Sequence, residues 1–211
     1  MYRVRVVPAS EPGAIEAAVE VLERGEVIAL PTDTVYGIGA HGFLGAAIAQ
    51  LYEIKRRDRL KAIALLLAGA EDVQRVAVRV PDIAWRLAER FWPGALTLVL
   101  PRALDVLDVL TGGGDAVAVR VPDHAVALGL IRALGAPLAA TSANLSGQPE
   151  ACTAAEVLSA LGERVSFVLD GGRCPGGVAS TVVDVTVQPP VVRRPGPLAR
   201  EVQALLAASS A

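Results

Sequence analysis

Short apolar runs, each bounded by Gly, Pro or Asp, alternate along this chain with segments whose apolar residues recur at helical spacing. The runs at Val27 to Leu30, Ala62 to Leu67, Leu96 to Leu100, Val117 to Val121, Leu138 to Ala140, Phe167 to Leu169 and Val182 to Val185 have the length and composition of buried strands. Helical patterns lie between several of them. Ser10, Glu11 and Pro12 make a helix start, Ile15, Val19 and Leu22 continue it and Gly25 stops it; Gly45 to Ile54, Ile83 to Phe91, Val126 to Leu134 and Ala154 to Leu161 read the same way. This alternation specifies an α/β fold, a twisted mixed sheet flanked by helices. Hydrophobic residues make up 53% of the chain but aromatics only 4%, so the core is built from Ala, Val, Leu and Ile, as in sheets covered by helices.

A chain of 211 residues is one large domain or two small ones, and folding should remove roughly 70% of its extended surface from water. No repeat or low-complexity segment divides it, and no linker precedes Gln188-Pro189-Pro190. Residues 1–211 are therefore expected to form a single domain, closed by a short helix from Leu198 to Ala207 and a frayed tail. Met1 to Val7 reads as a strand, not as a signal peptide, and no apolar stretch reaches the ~18 residues of a membrane span. The expected location is the cytoplasm. Cys152 and Cys174 are too few for a disulfide framework, lack the spaced partners of a zinc site, and read as reduced thiols. His41 and His124 lie far apart beside turn residues, which argues against a histidine-centred hydrolase.

Charge is concentrated. Net charge is -2, yet five of the 20 lysines and arginines fall in Lys55-Arg56-Arg57-Asp58-Arg59-Leu60-Lys61, where a predicted helix ends and a predicted strand begins. Cations beside a core strand can direct a positive field into a cleft and hold phosphate or carboxylate there. A solvated helix end, favoured by the helix dipole, is the alternative.

Four loops leave strand ends with polar or glycine-rich sequence: Pro31 to Gly39, Thr111 to Asp115, Thr141 to Gly147 and Gly171 to Gly177. In open α/β sheets ligands bind at such positions, and these four could form one cleft, with the segments at 111–115 and 171–177 as lid candidates. Ser142 and Asn144 follow the strand at Leu138 directly, where a hydroxyl and an amide can orient a carbonyl or phosphoryl oxygen or simply make a turn. Gly112-Gly113-Gly114 lacks the order of a P-loop. Arg120 sits inside the strand Val117 to Val121, and a buried guanidinium needs a partner, either a structural carboxylate or one on a ligand.

Six segments in order, Leu30-Pro31-Thr32-Asp33-Thr34-Val35-Tyr36-Gly37, Lys55-x-Arg57, Val117-Ala118-Val119-Arg120-Val121-Pro122, Thr141-Ser142-Ala143-Asn144-Leu145-Ser146-Gly147, Ser180-Thr181-Val182-Val183-Asp184 and Arg193-Arg194-Pro195-Gly196, resemble the YrdC family. The resemblance implies a fold with a concave basic cavity, and an enzyme that forms threonylcarbamoyl-AMP and pyrophosphate from ATP, L-threonine and bicarbonate or CO2. The product would pass to a transferase complex modifying adenosine 37 of tRNA, with weak tRNA contact by this chain an open possibility. By motif, Lys55, Arg57, Lys61 and Arg194 would contact ATP phosphates, Ser142 and Asn144 would bridge nucleotide and threonine, and Lys55, Arg57, Ser142 and Asn144 would form the catalytic set. Thr34, Arg120, Thr141 and Ser180 would bind threonine. Magnesium is expected to enter with the ATP phosphates, not on a protein cage. Asp58, where the family has proline, could pair with Arg57 or Arg59, and Leu66 replaces a histidine that some members place near threonine. Two other readings stay open: an RNA-binding module without chemistry, which the acidic balance disfavours, and carbamoyl-phosphate-dependent chemistry.

Overall fold

The computed structural model describes residues 4–208. Ten strands form one mixed sheet in the order β1-β8-β2-β3-β7-β4-β6-β5-β9-β10. In chain order they are β1 (Arg5–Pro8), β2 (Ile28–Leu30), β3 (Gly37–His41), β4 (Ala64–Leu66), β5 (Leu96–Pro101), β6 (Ala116–Arg120), β7 (Leu138–Ser142), β8 (Phe167–Asp170), β9 (Thr181–Asp184) and β10 (Val191–Arg194). The helices are α1 (Ala14–Glu23), α2 (Gly45–Lys55), α3 (Asp82–Phe91), α4 (Asp108–Thr111), α5 (Ala125–Leu134), α6 (Ala154–Leu161) and α7 (Ala199–Ala208). The α/β reading of the sequence holds, and the expected strands appear within a few residues of their predicted limits.

Two elements depart from expectation. The loop read at Pro31 to Gly39 contains the start of β3, which pairs antiparallel with both β2 and β7 in the middle of the sheet. Gly39 answers a packing demand and not a turn: a Cβ there would stand 2.8 Å from Leu138 Cδ2. Arg193-Arg194 belongs to β10, an edge strand antiparallel to β9, and Gln188-Pro189-Pro190 is the connection between the two. The first helix also opens later than Ser10-Glu11-Pro12 suggests, at Ala14, after Gly13 in a left-handed conformation (φ 82°). Of the Met1 to Val7 strand, residues 1–3 lie outside the described residues, as do residues 209–211 of the tail.

The two faces of the sheet are covered unequally, and that inequality creates the cleft. On one face Leu65, Leu98, Val119 and Ala139 pack into a core with Leu51 of α2 and Leu87 of α3. On the other face α1 and α5 cover only part of the sheet, burying Ala18, Leu22, Leu130 and Ile131 against Ile28, Leu138 and Phe167. Burying a leucine fully contributes about 1.5–3 kcal/mol, so these helices are tied to that half. The rest of the face carries no helix. There the register aligns Ala140 with Ala64 and Ala118 with Val99, and the β4/β6 pairing sets Ala64 beside Ala118. A row of methyl groups on paired strands makes a low floor.

Candidate functional site

The uncovered face is a cavity of about 340 Å³, a size suited to a small-molecule ligand. Its floor is Ala64, Leu66, Ala118, Ala140, Val99 and Val182. Seven of the ten residues singled out from sequence line it: Thr34, Arg57, Arg120, Thr141, Ser142, Ser180 and Arg194. Lys55, Asn144 and Lys61 are not among the lining residues. Lys55 and Asn144 lie buried behind Ser142, whereas Lys61 is exposed.

Each arginine is oriented by backbone carbonyls. Arg57 donates through Nε to the Lys61 carbonyl (3.1 Å) and through Nη2 to the Ala62 carbonyl (2.9 Å), so the cationic loop folds back to aim its own guanidinium. That loop begins at Arg56, which caps α2 in a left-handed conformation (φ 52°). Arg194 donates through Nε and Nη2 to the Ser180 carbonyl (3.0 and 2.8 Å) and through Nη2 to Ser180 Oγ (3.1 Å). Arg120, 6% exposed, donates to the Gly94 carbonyl (2.9 Å), Thr34 Oγ1 (3.0 Å) and Asp33 Oδ1 (2.6 Å). The partner required by sequence is therefore a structural carboxylate, Asp33. Three of Arg120's five N–H groups are engaged, which leaves two for a ligand.

Burial lowers the pKa of Arg57, Arg120 and Arg194; at Arg194 the charge of Glu150 opposes this and those of Arg120 and Arg57 add to it. Arg194 thus feels the charges of the other two across one cavity whose lining contains a single carboxylate, Glu150. Such a site is electrostatically complementary to an anion.

The hydroxyls are arranged as acceptors. Thr32 Oγ1 donates to the Val35 carbonyl (2.7 Å), so in its contact with Thr34 Oγ1 (2.9 Å) the proton comes from Thr34. Ser142 Oγ donates to Asn144 Oδ1 (2.7 Å). With its proton given to Thr32 and one lone pair taken by Arg120, Thr34 keeps one lone pair, and Ser142, its proton given to Asn144, is likewise an acceptor; each suits a ligand amine or hydroxyl. Ser180 shares a hydrogen bond with Thr97 (2.7 Å).

Of the four strand-end loops, two line the cavity and two support it. A Cβ on Gly176 would stand 2.6 Å from the Asp33 carbonyl and 2.9 Å from Thr34 Cα, so only glycine lets the 171–177 loop pack behind Thr34. Gly112, in a left-handed conformation (φ 65°), brings the 111–115 loop against the Leu60 carbonyl in the same way. The expectation that all four loops line one cleft is thus corrected: 111–115 and 171–177 buttress the two that do. Asp58 forms no ion pair with Arg57 or Arg59, though its charge raises the Arg57 pKa. Its Oδ1 accepts from the Leu60 amide (3.0 Å), while Arg59 reaches Glu53 at 3.5 Å. Leu66 lines the cavity and makes its wall apolar at that point. Both cysteines are free thiols, with Cys174 pushed up to about 11 by burial.

Sequence reasoning missed Tyr36, Thr97, Glu150, Ala179 and the alanine floor. An alanine in an apolar run carries no signal of its own. Only the register, which aligns three of them, makes a floor. Tyr36 sat in a quoted motif; the structure anchors it by donating to the Gly172 carbonyl (2.8 Å), and burial raises its pKa.

A family model described as Telomere recombination, Sua5_yciO_yrdC, matches residues 20–196. The chain is 42% identical over 191 residues to threonylcarbamoyl-AMP synthase of Pyrococcus abyssi, covering 90% of this chain and 56% of that protein. It is 42% identical over 188 residues to the protein of the same name in Bacillus subtilis, covering 89% and 54%. The chain spans a little over half the length of these two curated relatives. The crystal structure of P. abyssi Sua5 complexed with L-threonine superposes with a TM-score of 0.91 at 40% identity, covering 96% of this chain and 60% of that one.

Proposed function

Because the chain belongs to the Sua5/YciO/YrdC family, we propose that its cleft makes threonylcarbamoyl-AMP and pyrophosphate from ATP, L-threonine and bicarbonate or CO2. The observation that carries this reading is the convergence of three guanidiniums, with Arg120 buried, Arg57 half-buried and Arg194 at the rim, on a cavity lined by one carboxylate. The relative from P. abyssi, complexed with L-threonine, lends further support.

The chemistry explains the demand for cations. The threonine amine adds to CO2 and loses a proton, giving a carbamate. A carbamate oxygen then attacks the α-phosphorus of ATP; the new O–P bond forms as the bond to the bridging β-phosphate oxygen breaks, and that electron pair leaves with pyrophosphate. Two carboxylates and a triphosphate must share one pocket, so fixed positive charge stabilises both the approach and the departing anion. Arg57 and Arg194 retain N–H groups for the phosphates, and Lys61 on the rim would meet the outer ones. The two spare N–H groups of Arg120 would bind the threonine carboxylate. Thr34 and Ser142, as acceptors, would hold the amine or hydroxyl of threonine or a nucleotide hydroxyl, with Thr141 and Ser180 beside them.

Magnesium would enter with the nucleotide. No group of three or more His, Cys, Asp or Glu that could hold a metal occurs among the described residues, so the ion would take its oxygens from phosphate and water, with Glu150 the one carboxylate in reach of the cavity. It would supply charge neutralisation at the phosphates. Transfer of the product to tRNA by a separate transferase complex belongs to the same proposal. No helix among the described residues is long and apolar enough to cross a membrane.

The test is magnesium-dependent pyrophosphate release from ATP, with threonine and bicarbonate omitted in turn. Release requiring both supports the proposal; release indifferent to threonine, or absent from folded protein, refutes it.

A further inference from the structure

Lys55 opens the cationic motif, yet it is not among the residues that line the cleft. It is the last residue of α2, 2% exposed, and its Nζ donates to the Ser142 carbonyl, the Asn144 carbonyl (2.8 Å) and Asn144 Oδ1 (2.8 Å). An ammonium has three N–H groups, and those three acceptors use all of them. None remains for a phosphate.

What those bonds hold is the turn that forms one side of the cavity. Asn144 Oδ1 accepts from both Lys55 and Ser142, and its Nδ2 donates to the Gln148 carbonyl (2.6 Å), so the amide has one orientation that satisfies the network. The Ser146 amide donates back to the Lys55 carbonyl (3.0 Å) and Gln148 to the Leu145 carbonyl (3.0 Å), joining the end of α2 to the segment that carries Glu150 into the cavity. Because Asn144 Oδ1 is fixed by Lys55, it takes the Ser142 proton; with Lys55 Nζ also 3.5 Å from Ser142 Oγ, Ser142 lines the cleft as an acceptor and not as a donor.

We propose that Lys55 is a positioning residue for the reaction proposed above: its ammonium fixes the Ser142 to Asn144 turn, so that Ser142 meets the substrate as a hydrogen-bond acceptor, and it touches no phosphate itself. The inference rests on that reaction for its role in turnover, though not for the network. Burial holds the Lys55 pKa down to about 8, with Arg57 adding to the depression and Glu150 opposing it. A buried charge of this kind is costly and is retained where its bonds organise something.

The experiment compares wild type, Lys55→Met and Arg57→Ala. Lys55→Met removes the donor that the Ser142 carbonyl, the Asn144 carbonyl and Asn144 Oδ1 share, so exchange of the Ser146 and Gln148 amides in ligand-free protein should accelerate by about tenfold or more. The kcat for pyrophosphate release should fall by about tenfold or more, with the KM for ATP changed by less than about threefold, the pattern of a lost transition-state arrangement. Lys55→Gln, which keeps two N–H donors without the charge, should recover part of both, and it carries the same test if Lys55→Met does not fold. Arg57→Ala should instead weaken ATP binding with amide exchange unchanged. Unchanged exchange in folded Lys55→Met, or a raised KM for ATP at normal kcat, overturns the assignment. If wild type releases no pyrophosphate the proposed reaction fails, and the exchange comparison still decides what Lys55 does.

Discussion

Replacing Asp33 with alanine should cost this protein about 3 kcal/mol of stability, because it leaves Arg120 buried without its counter-charge. The carboxylate accepts from Arg120 Nη2 at 2.6 Å and from the Asp123 amide at 3.1 Å, and the two side chains are 7% and 13% exposed. Breaking one partner of a buried pair costs ~3–5 kcal/mol. The lower end applies here, since Arg120 keeps the Gly94 carbonyl and Thr34 and has the cleft on one side, where water can enter. For a chain of this length each kcal/mol moves Tm by ~2–4 °C, so a fall of ~6–12 °C is expected by circular dichroism at neutral pH. Asp33→Asn keeps an acceptor and should lose about half as much. The variant also carries a second signature: a ligand carboxylate can replace the missing charge, so L-threonine should raise the Tm of Asp33→Ala by more than it raises that of wild type. A Tm within about 2 °C of wild type would show that Arg120 is solvated from the cleft and would refute the claim that Asp33 neutralises it.

Three further outcomes are expected. Ala118→Leu puts a branched side chain on the floor of the cleft at a position open on that side, so ATP and threonine binding should fall by about tenfold or more while Tm stays within a few degrees, as read by calorimetry and thermal scans. Gly112→Ala places a Cβ 2.7 Å from the Leu60 carbonyl at φ 65°, and should lower Tm by several degrees, at ~1–3 kcal/mol for the strained backbone, with reduced affinity for ATP because the loop aiming Arg57 shifts. Lys55 gives a pH signature. Its folded pKa, about 8, lies below the value of 10.5 expected for the unfolded chain, so between those values the unfolded state binds more protons, and wild type should gain stability relative to Lys55→Met as pH rises through that window. Urea titrations at pH 7 and pH 9.5 would read it, and a constant difference would contradict the assigned burial.

The sequence revealed most where periodicity and residue type coincide. The strand at Leu96 and the helix at Val126 are legible because an apolar pattern reports the face it buries. β3 was hidden because Gly37 and Gly39 read as turn residues, although Gly39 is there to let Leu138 approach. Arg120 could be recognised as needing a partner, but Asp33 lies 87 residues away in the chain and no local rule joins them. The cationic cluster was visible as charge, but not its division of labour: Arg57 turned into the cleft, Lys55 turned behind its wall, and Lys61 left at the rim. That division comes from the end of α2, where Arg56 adopts a left-handed conformation and reverses the chain.

The proposed joining of a threonine carbamate to the α-phosphate of ATP can be followed through its carbon. Folded protein would be incubated with 13C-labelled bicarbonate, L-threonine, ATP and magnesium, and the nucleotide products analysed by mass spectrometry. One molecule that contains AMP, threonine and the labelled carbon should appear, and should be lost when Arg57 or Arg120 is replaced by alanine. Unlabelled AMP as the only nucleotide product, or a labelled adduct that forms without threonine, would contradict the proposed reaction.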